Sequence, residues 1–282
     1  MAKGGITDQE ERLYREDGFV LVRNFLDAEE IGLLGRAARE DRVLDQHSYG
    51  RADGEGGTTR LSLWNHPTDT IYGAVARSES MVSAVEKLLG GEAYHYHSKM
   101  IMKDAKVGGA WAWHQDYGYW YQNGVLFPLL TSAFIAIDRA TRENGCMQVI
   151  RKSHEMGRID HVTTGEQAGA DMERVNETLN RLDLVHVEME PGDTLFFHAN
   201  LLHRSDQNRS DNPRWSMICC YNAARNDPYK ESHHPRYTPL IKVPDTEIRN
   251  AGRKRFSESQ NDAVWLEPSK DLSVGTLRKG AS

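Results

Sequence analysis

Near Ala93 the hydrophobic pattern of the chain changes period, and that change limits the folds open to it. Before it, apolar residues recur at helical spacing behind recognisable caps. Thr7 to Glu10 has the form of a capping box and opens a short helix that should stop near Gly18, after which Phe19-Val20-Leu21-Val22 reads as a short strand. Asp27 to Glu30 repeats the cap and opens a longer helix through Ile31, Leu33, Leu34 and Ala37. A third helix starts after Ser78, carries Met81, Val82, Val85, Leu88 and Leu89, and ends at Gly90-Gly91. From Ala93 onward short runs of strand formers take over, at 93–103, 110–121, 132–138, 146–151, 184–188, 194–199 and 214–222. A helical front followed by many short strands, with turn signals such as Glu190-Pro191-Gly192-Asp193, predicts a mainly β fold: an antiparallel jelly roll buttressed by helices.

With 282 residues, 39% hydrophobic and 27% charged, the chain can bury a full core and fits one large domain over 1–282. Its expected parts are a helical front over about 7–92, a jelly-roll core over about 93–225 and an extension over about 226–282. The extension's polar, weakly patterned tail after 256 should be loosely held. The net charge of −6 comes from 35 basic against 41 acidic residues without a block of either sign, which argues against a nucleic-acid surface or a polybasic membrane patch. A small molecule is the expected partner; oligomeric state is not legible. No stretch approaches the roughly 18 apolar residues of a spanning helix, and the N-terminus lacks an apolar signal core. The three cysteines, Cys146 and the adjacent Cys219 and Cys220, offer no disulfide framework. Together these point to the cytoplasm.

Two histidines and an aspartate carry the chemistry. Trp-His-Gln-Asp at 113–116 supplies His114 and Asp116 at i and i+2, which a strand points the same way, and Asn-Leu-Leu-His at 200–203 supplies His203. Two imidazoles and one carboxylate on one face of an octahedral metal leave three positions open, the ligand set of non-haem Fe(II) oxygenases. Around this core, residues 50–59 are Gly-rich without the spacing of a phosphate loop and read as a mobile flap. Residues 155–183 interrupt the strands with polar sequence and a helix near Asp171 to Leu182, either a lid or a surface excursion.

The run WAWHQDYGYW, followed by ENGCMQVIRKSH at 143–154, EPGDTLFFHANLLHRSDQN at 190–208 and Arg214, resembles the phytanoyl-CoA dioxygenase family of Fe(II)- and 2-oxoglutarate-dependent oxygenases, from about residue 13 to about 225. The resemblance implies a double-stranded β-helix, a cupin-like jelly roll, with His114 and Asp116 on an early strand and His203 on a late one as iron ligands. His198, five positions earlier, competes with His203; Ser205, Asn208 and Arg214 follow His203 in the family's pattern and favour it. His154 falls in the family's Gly-Ser-His turn, where bracing a loop is its expected role. Arg214, eleven residues after His203, matches the arginine that holds the distal carboxylate of 2-oxoglutarate, for which a planar fork of two donors is suited, and Ser205 could add a hydroxyl. His97 falls where many members carry a glutamine near the cosubstrate. The implied activity is hydroxylation of a small polar or anionic metabolite using O₂, with succinate and CO₂ as coproducts. An oxygenase acting on a macromolecule and a noncatalytic metal-binding jelly roll are the alternatives.

Strand parity extends the site. Ser216, Ile218, Cys220 and Asn222 should share the face of Arg214, making Asn222 a candidate substrate contact. On the metal strand Ala112, His114, Asp116 and Gly118 should share one face, while Trp111, Trp113 and Tyr117 take the other and pack into the core. Tyr119 and Trp120, beyond Gly118, turn toward the substrate mouth or pack. His95, His97, Lys99 and Lys103 share a parity, and Lys99 is placed to pair with an anionic substrate unless this is a solvated face.

Overall fold

A computed structural model describes residues 5–164, 166–254, 264–271 and 278–279. The helical front consists of α1 (Asp8–Asp17), α2 (Ala28–Glu40), α3 (Arg42–Gln46), α4 (Ile71–Arg77) and α5 (Glu79–Leu89). The caps are those the sequence announces. Thr7 and Glu10 close a reciprocal capping box on α1, which ends at Gly18 with φ 83°; Asp27 and Glu30 do the same for α2; and Ser78 caps α5, which ends at Gly90 with φ 68°. Helix α4 was not anticipated. Its run IYGAVAR is buried up to Arg77, shows no amphipathic period and has no side-chain cap, so only its packing identifies it.

The strands are β1 (Phe19–Val22), β2 (Tyr49–Ala52), β3 (Thr58–Trp64), β4 (Ala93–Lys103), β5 (Trp111–His114), β6 (Leu130–Ala136), β7 (Met147–Ile150), β8 (His161–Thr164), β9 (Gln167–Ala170), β10 (Leu184–Val187), β11 (Thr194–His198), β12 (His203–Ser205) and β13 (Arg214–Ala223). Seven form an antiparallel sheet in the order β1-β11-β6-β13-β4-β3-β2, and four form a second, β10-β7-β12-β5. The core follows the strand period: Met217, Cys219 and Tyr221 of β13 pack with the helices, while Ile218 and Cys220 join a second cluster with Val149 of β7 and Val187 of β10. This two-sheet, helix-backed arrangement is the expected jelly roll. The remaining helices are α6 (Asp116–Trp120), α7 (Met172–Leu179) and α8 (Thr246–Arg253).

Several expectations are corrected. The strand expected over 110–121 stops at His114, and Asp116 opens α6 instead. Gln115 between them stays extended (φ −112°, ψ 133°), so His114 and Asp116 still point the same way. The Gly-rich 50–59 is the turn and both arms of a hairpin, β2 on β3, not an irregular flap. Its turn is pinned by Asp53, whose carboxylate accepts from the Gly57 and Ala110 amides at 2.9 and 2.8 Å and from Gln207 at 2.8 Å. The 155–183 insertion contains a β8–β9 hairpin as well as the expected helix, which Asp171 caps. Part of the tail expected to be loose lies outside the described residues. Residues 264–271, however, are docked: Leu266 donates to the Leu63 carbonyl at 2.9 Å and is buried, and Trp265 stacks on His47.

Candidate active site

His114 ends β5 directly across from His203 at the start of β12, so cross-strand pairing sets their rings 4.0 Å apart. Asp116, one extended residue beyond, completes the group: one ligand atom from each of the three lies within 4.8 Å of the others, and all three residues are buried. Each histidine Nδ1 lies against a backbone carbonyl, Ala112 O at 2.8 Å for His114 and Leu201 O at 2.9 Å for His203. An Nδ1–H donated there leaves Nε2 free for a metal. Both Nε2 atoms face Asp116 Oδ1, at 3.7 and 4.0 Å. Burial, then repulsion between the two rings, pushes His114 well below its usual range, and burial lowers His203, so both imidazoles are neutral. Burial alone would raise the Asp116 carboxyl, but Lys99, then the two histidines and the Tyr119 hydroxyl, hold it below the usual carboxylate range. An anion and two neutral imidazoles are the donor set a divalent iron requires.

His198 is elsewhere: its Nδ1 accepts from the Asn200 amide at 3.0 Å and its ring lies against His154 and Tyr14. His154 itself reaches the Arg15 carbonyl at 3.1 Å, bracing α1.

The neighbours of the triad hold it in place. Tyr119 donates to Asp116 Oδ1 at 2.7 Å, and Ser132 of β6 donates to Oδ2 at 3.1 Å. Gln115, fully buried between the two candidate ligands, was missed by sequence reasoning. Its amide donates to the Gly157 and Asn200 carbonyls at 2.8 Å each, its carbonyl accepts from the Ile159 amide at 2.9 Å, and its backbone N–H donates to His161 Nε2 at 2.8 Å. His161 in turn presses against Gly118, where a Cβ would come within 2.1 Å of the ring. Gln115 ties the turn of the two candidate ligands to the 157–161 segment.

One cavity opens between the triad and Arg214. Its lining includes Lys99, Lys103, Arg204 and Arg214 and no carboxylate. Arg214 is 3% exposed, and no hydrogen bond or ion pair reaches its guanidinium among the described residues. Burial pulls it down to about 10, so it is still charged at neutral pH. Lys103 lies opposite it in the β13–β4 register and donates to Ser205 Oγ at 2.9 Å. Burial, then Arg214, pushes Lys103 well below its usual value. A buried arginine charge facing a cavity lined by no carboxylate is costly unless an anion joins it.

A second cavity shares Lys99 and Trp111 with the first and is lined further by His97, Tyr119, Trp120, His234 and the charged Arg51, Glu166 and Asp271. The structure thus sets His97 here, stacked on His234 at 4.4 Å, rather than beside Arg214. Two irregularities defeat simple parity. Against β12, four residues of β5 (111–114) oppose three (203–205), since His114 faces His203 but Trp111 faces Ser205; this bulge turns Trp111 to the cavity side instead of the core. In β4 the pairing with β13 skips Tyr96, which flips His95 away from His97, so that His95 meets Ser98 and Tyr221. Asn222 has the expected parity but lies elsewhere: it lines neither cavity and is satisfied by Tyr94, at 2.9 Å, and Asn226.

Comparison with known proteins gives the same picture. The sequence model described as phytanoyl-CoA dioxygenase (PhyH) matches residues 14–216. The chain is 30% identical over 224 residues to an L-proline trans-4-hydroxylase of Streptomyces griseoviridis, covering 74% of this chain and 79% of that one. It is 24% identical over 237 residues to the ectoine dioxygenase of Sphingopyxis alaskensis, covering 78% and 77%. Among solved structures it is similar in fold to EctD from S. alaskensis with 2-oxoglutarate and 5-hydroxyectoine, with TM-score 0.67, 21% identity and 87% and 90% of the two chains covered.

Proposed function

The chain belongs to the phytanoyl-CoA dioxygenase family and is an Fe(II)- and 2-oxoglutarate-dependent dioxygenase, and from that premise we propose that it hydroxylates a small polar metabolite bound in the second cavity. His114, Asp116 and His203 hold the iron, and Arg214, with Lys103 and Ser205, holds the distal carboxylate of 2-oxoglutarate. The relatives' small-molecule substrates, proline and ectoine by name, support a small metabolite over a macromolecule. Family membership also sets aside the noncatalytic reading. The observation that carries the residue assignment is the buried charge of Arg214, reached by no ion pair among the described residues, in a cavity that opens on the triad and is lined by no carboxylate.

When bound, ferrous iron and 2-oxoglutarate supply the oxidising chemistry, with O₂ consumed and succinate and CO₂ released. The chain's residues position and protect. Tyr119 and Ser132 fix both oxygens of Asp116, so the carboxylate presents one orientation to the metal. The Ala112 and Leu201 carbonyls fix the tautomers of the two imidazoles. Arg214 and Lys103 orient the keto acid from its far end, and the aromatic walls Trp111, Tyr119 and Trp120 keep water from the space beside the metal.

The test is calorimetric titration of 2-oxoglutarate into protein loaded with Mn(II), a redox-inert stand-in. Arg214→Lys gives up one arm of a charge-assisted bidentate contact, about 1.5–3 kcal/mol, so its Kd should rise roughly ten- to hundred-fold while Mn(II) affinity holds. Unchanged 2-oxoglutarate binding would show that the keto acid lies elsewhere.

A further inference from the structure

We propose that the substrate is bipolar, with an anionic group on Lys99 and a cationic nitrogen held between the aromatic walls and the carboxylates of Glu166 and Asp271. The proposal deepens the oxygenase reading above and rests on it. The two cavities meet at Lys99 but differ in sign: the lining on the Arg214 side holds cations without a carboxylate, whereas on the other side Arg51 and Lys99 face Glu166 and Asp271. A purely anionic substrate would meet two carboxylates there, and a purely cationic one would meet Lys99. A molecule carrying both charges meets a partner at each end.

Three observations set the polarity. Lys99, half-buried on the wall common to both cavities, makes no hydrogen bond or ion pair among the described residues, and its charge acts on Asp116 and both triad histidines. It is an unpaired cation, among the described residues, on the wall that both cavities share. Trp111 and Tyr119 lie with ring centroids 6.3 and 6.2 Å from that of His114, so the aromatic walls that would receive a cation stand beside the triad. His97 lines the same cavity, is 2% exposed and has an Nδ1 without a hydrogen-bond partner, while burial, then His234, keeps its ring neutral. It offers the substrate a polar contact without adding positive charge.

The acidic end is supplied by segments that come late or lie between strands. Glu166, in the β8–β9 turn, accepts from the Ala52 amide at 2.9 Å, and Asp271, on the docked 264–271 segment, pairs with Arg51 of β2 at 2.7 Å. Both carboxylates are therefore anchored to the same edge strand, over the cavity. Of this end of the pocket, Glu166 lies within residues 14–216 that match the family, whereas Asp271 and His234 lie beyond them.

The test uses Mn(II)-loaded, 2-oxoglutarate-bound protein and three matched probe sets: the proteinogenic L-amino acids with their N-trimethyl betaines, the corresponding 2-hydroxy acids, and the corresponding amines. Binding is read by calorimetry and by quenching of tryptophan fluorescence. At least one zwitterion should bind at least tenfold more tightly than both of its singly charged analogues. Lys99→Met should erase its advantage over the amine but not over the hydroxy acid, and Glu166→Gln with Asp271→Asn should do the reverse, with melting temperatures confirming that each variant folds. If 2-oxoglutarate fails to bind, the oxygenase reading falls. If it binds while no zwitterion does, or while hydroxy acids or amines bind as well as zwitterions, the bipolar proposal is overturned. Weakening of 2-oxoglutarate rather than of the probe by Lys99→Met would also overturn it, by assigning Lys99 to the cosubstrate.

Discussion

Arg214 carries its charge into a cavity lined by no carboxylate. The same logic of unanswered groups applies to single substitutions around the metal. His203→Ala should abolish Fe(II) binding measured by metal analysis after gel filtration, because it removes one of the two imidazoles, whereas His198→Ala should retain iron, since its ring faces His154 and Tyr14. The opposite pattern would move the distal ligand to His198. Gln115→Ala would leave two carbonyls and one amide without their side-chain partners in a buried turn, so we expect a loss of about 2–4 kcal/mol in urea unfolding. Iron affinity should weaken with it, because the same turn sets the approach of His114 and Asp116. A variant with wild-type stability would show that water replaces the amide.

At the scale of elements, α1, α2 and α5 were legible from their caps, whereas the short α3 was not although Asp41 caps it, and the strand β4 over 93–103 was legible from its composition. Helix α6 was not, because aromatic Asp116-Tyr117-Gly118-Tyr119-Trp120 has strand-like propensity and is held helical by its surroundings, His161 against Gly118 and Tyr119 on Asp116. His114 and Asp116 were readable from spacing because Gln115 stays extended, whereas His203 was preferred to His198 on the family resemblance. Trp111 and His95 were misplaced because a bulge adds one residue to one strand only, and no residue type announces it. Asn222 failed differently: parity gives a face, not a distance along the strand. The docked 264–271 segment escaped notice because its contacts, Trp265 on His47 and Trp64, are long-range. From this anchoring we expect Trp265→Ala to displace Asp271 and raise the KM for substrate severalfold while the KM for 2-oxoglutarate is unchanged. Equal changes in both would mean that the segment supports the whole barrel instead. Hydrogen exchange offers a second check: substrate should add protection at 166–170 and 264–271 more than in the Asp53-pinned turn at 53–57. Protection concentrated at 53–57 would identify that hairpin as the moving part.

For the molecule as a whole, buried neutral histidines link stability to pH. Burial pushes His95 down to about 3 and His198 to about 4, His198 with a further contribution from His154, against an unfolded value near 6.5. The unfolded chain therefore takes up these protons first as pH falls. Stability from the two groups is complete above about pH 6.5 and declines below it, by up to roughly 1.4 kcal/mol per pH unit for each histidine, until each folded value is reached. Melting temperature should accordingly drop between pH 6.5 and 4, and a flat profile over that window would mean that both rings are solvated. Stability, though, only preserves the arrangement on which function depends: three ligands opening on a cavity lined by no carboxylate. The most direct measurement is the visible spectrum of anaerobic, Fe(II)-loaded protein titrated with 2-oxoglutarate. Chelation of ferrous iron by the keto acid should produce a metal-to-ligand charge-transfer band that saturates at one equivalent of iron, is absent in Asp116→Ala, and requires more 2-oxoglutarate in Arg214→Lys. Protein shown to hold one Fe(II) that develops no such band would contradict the account.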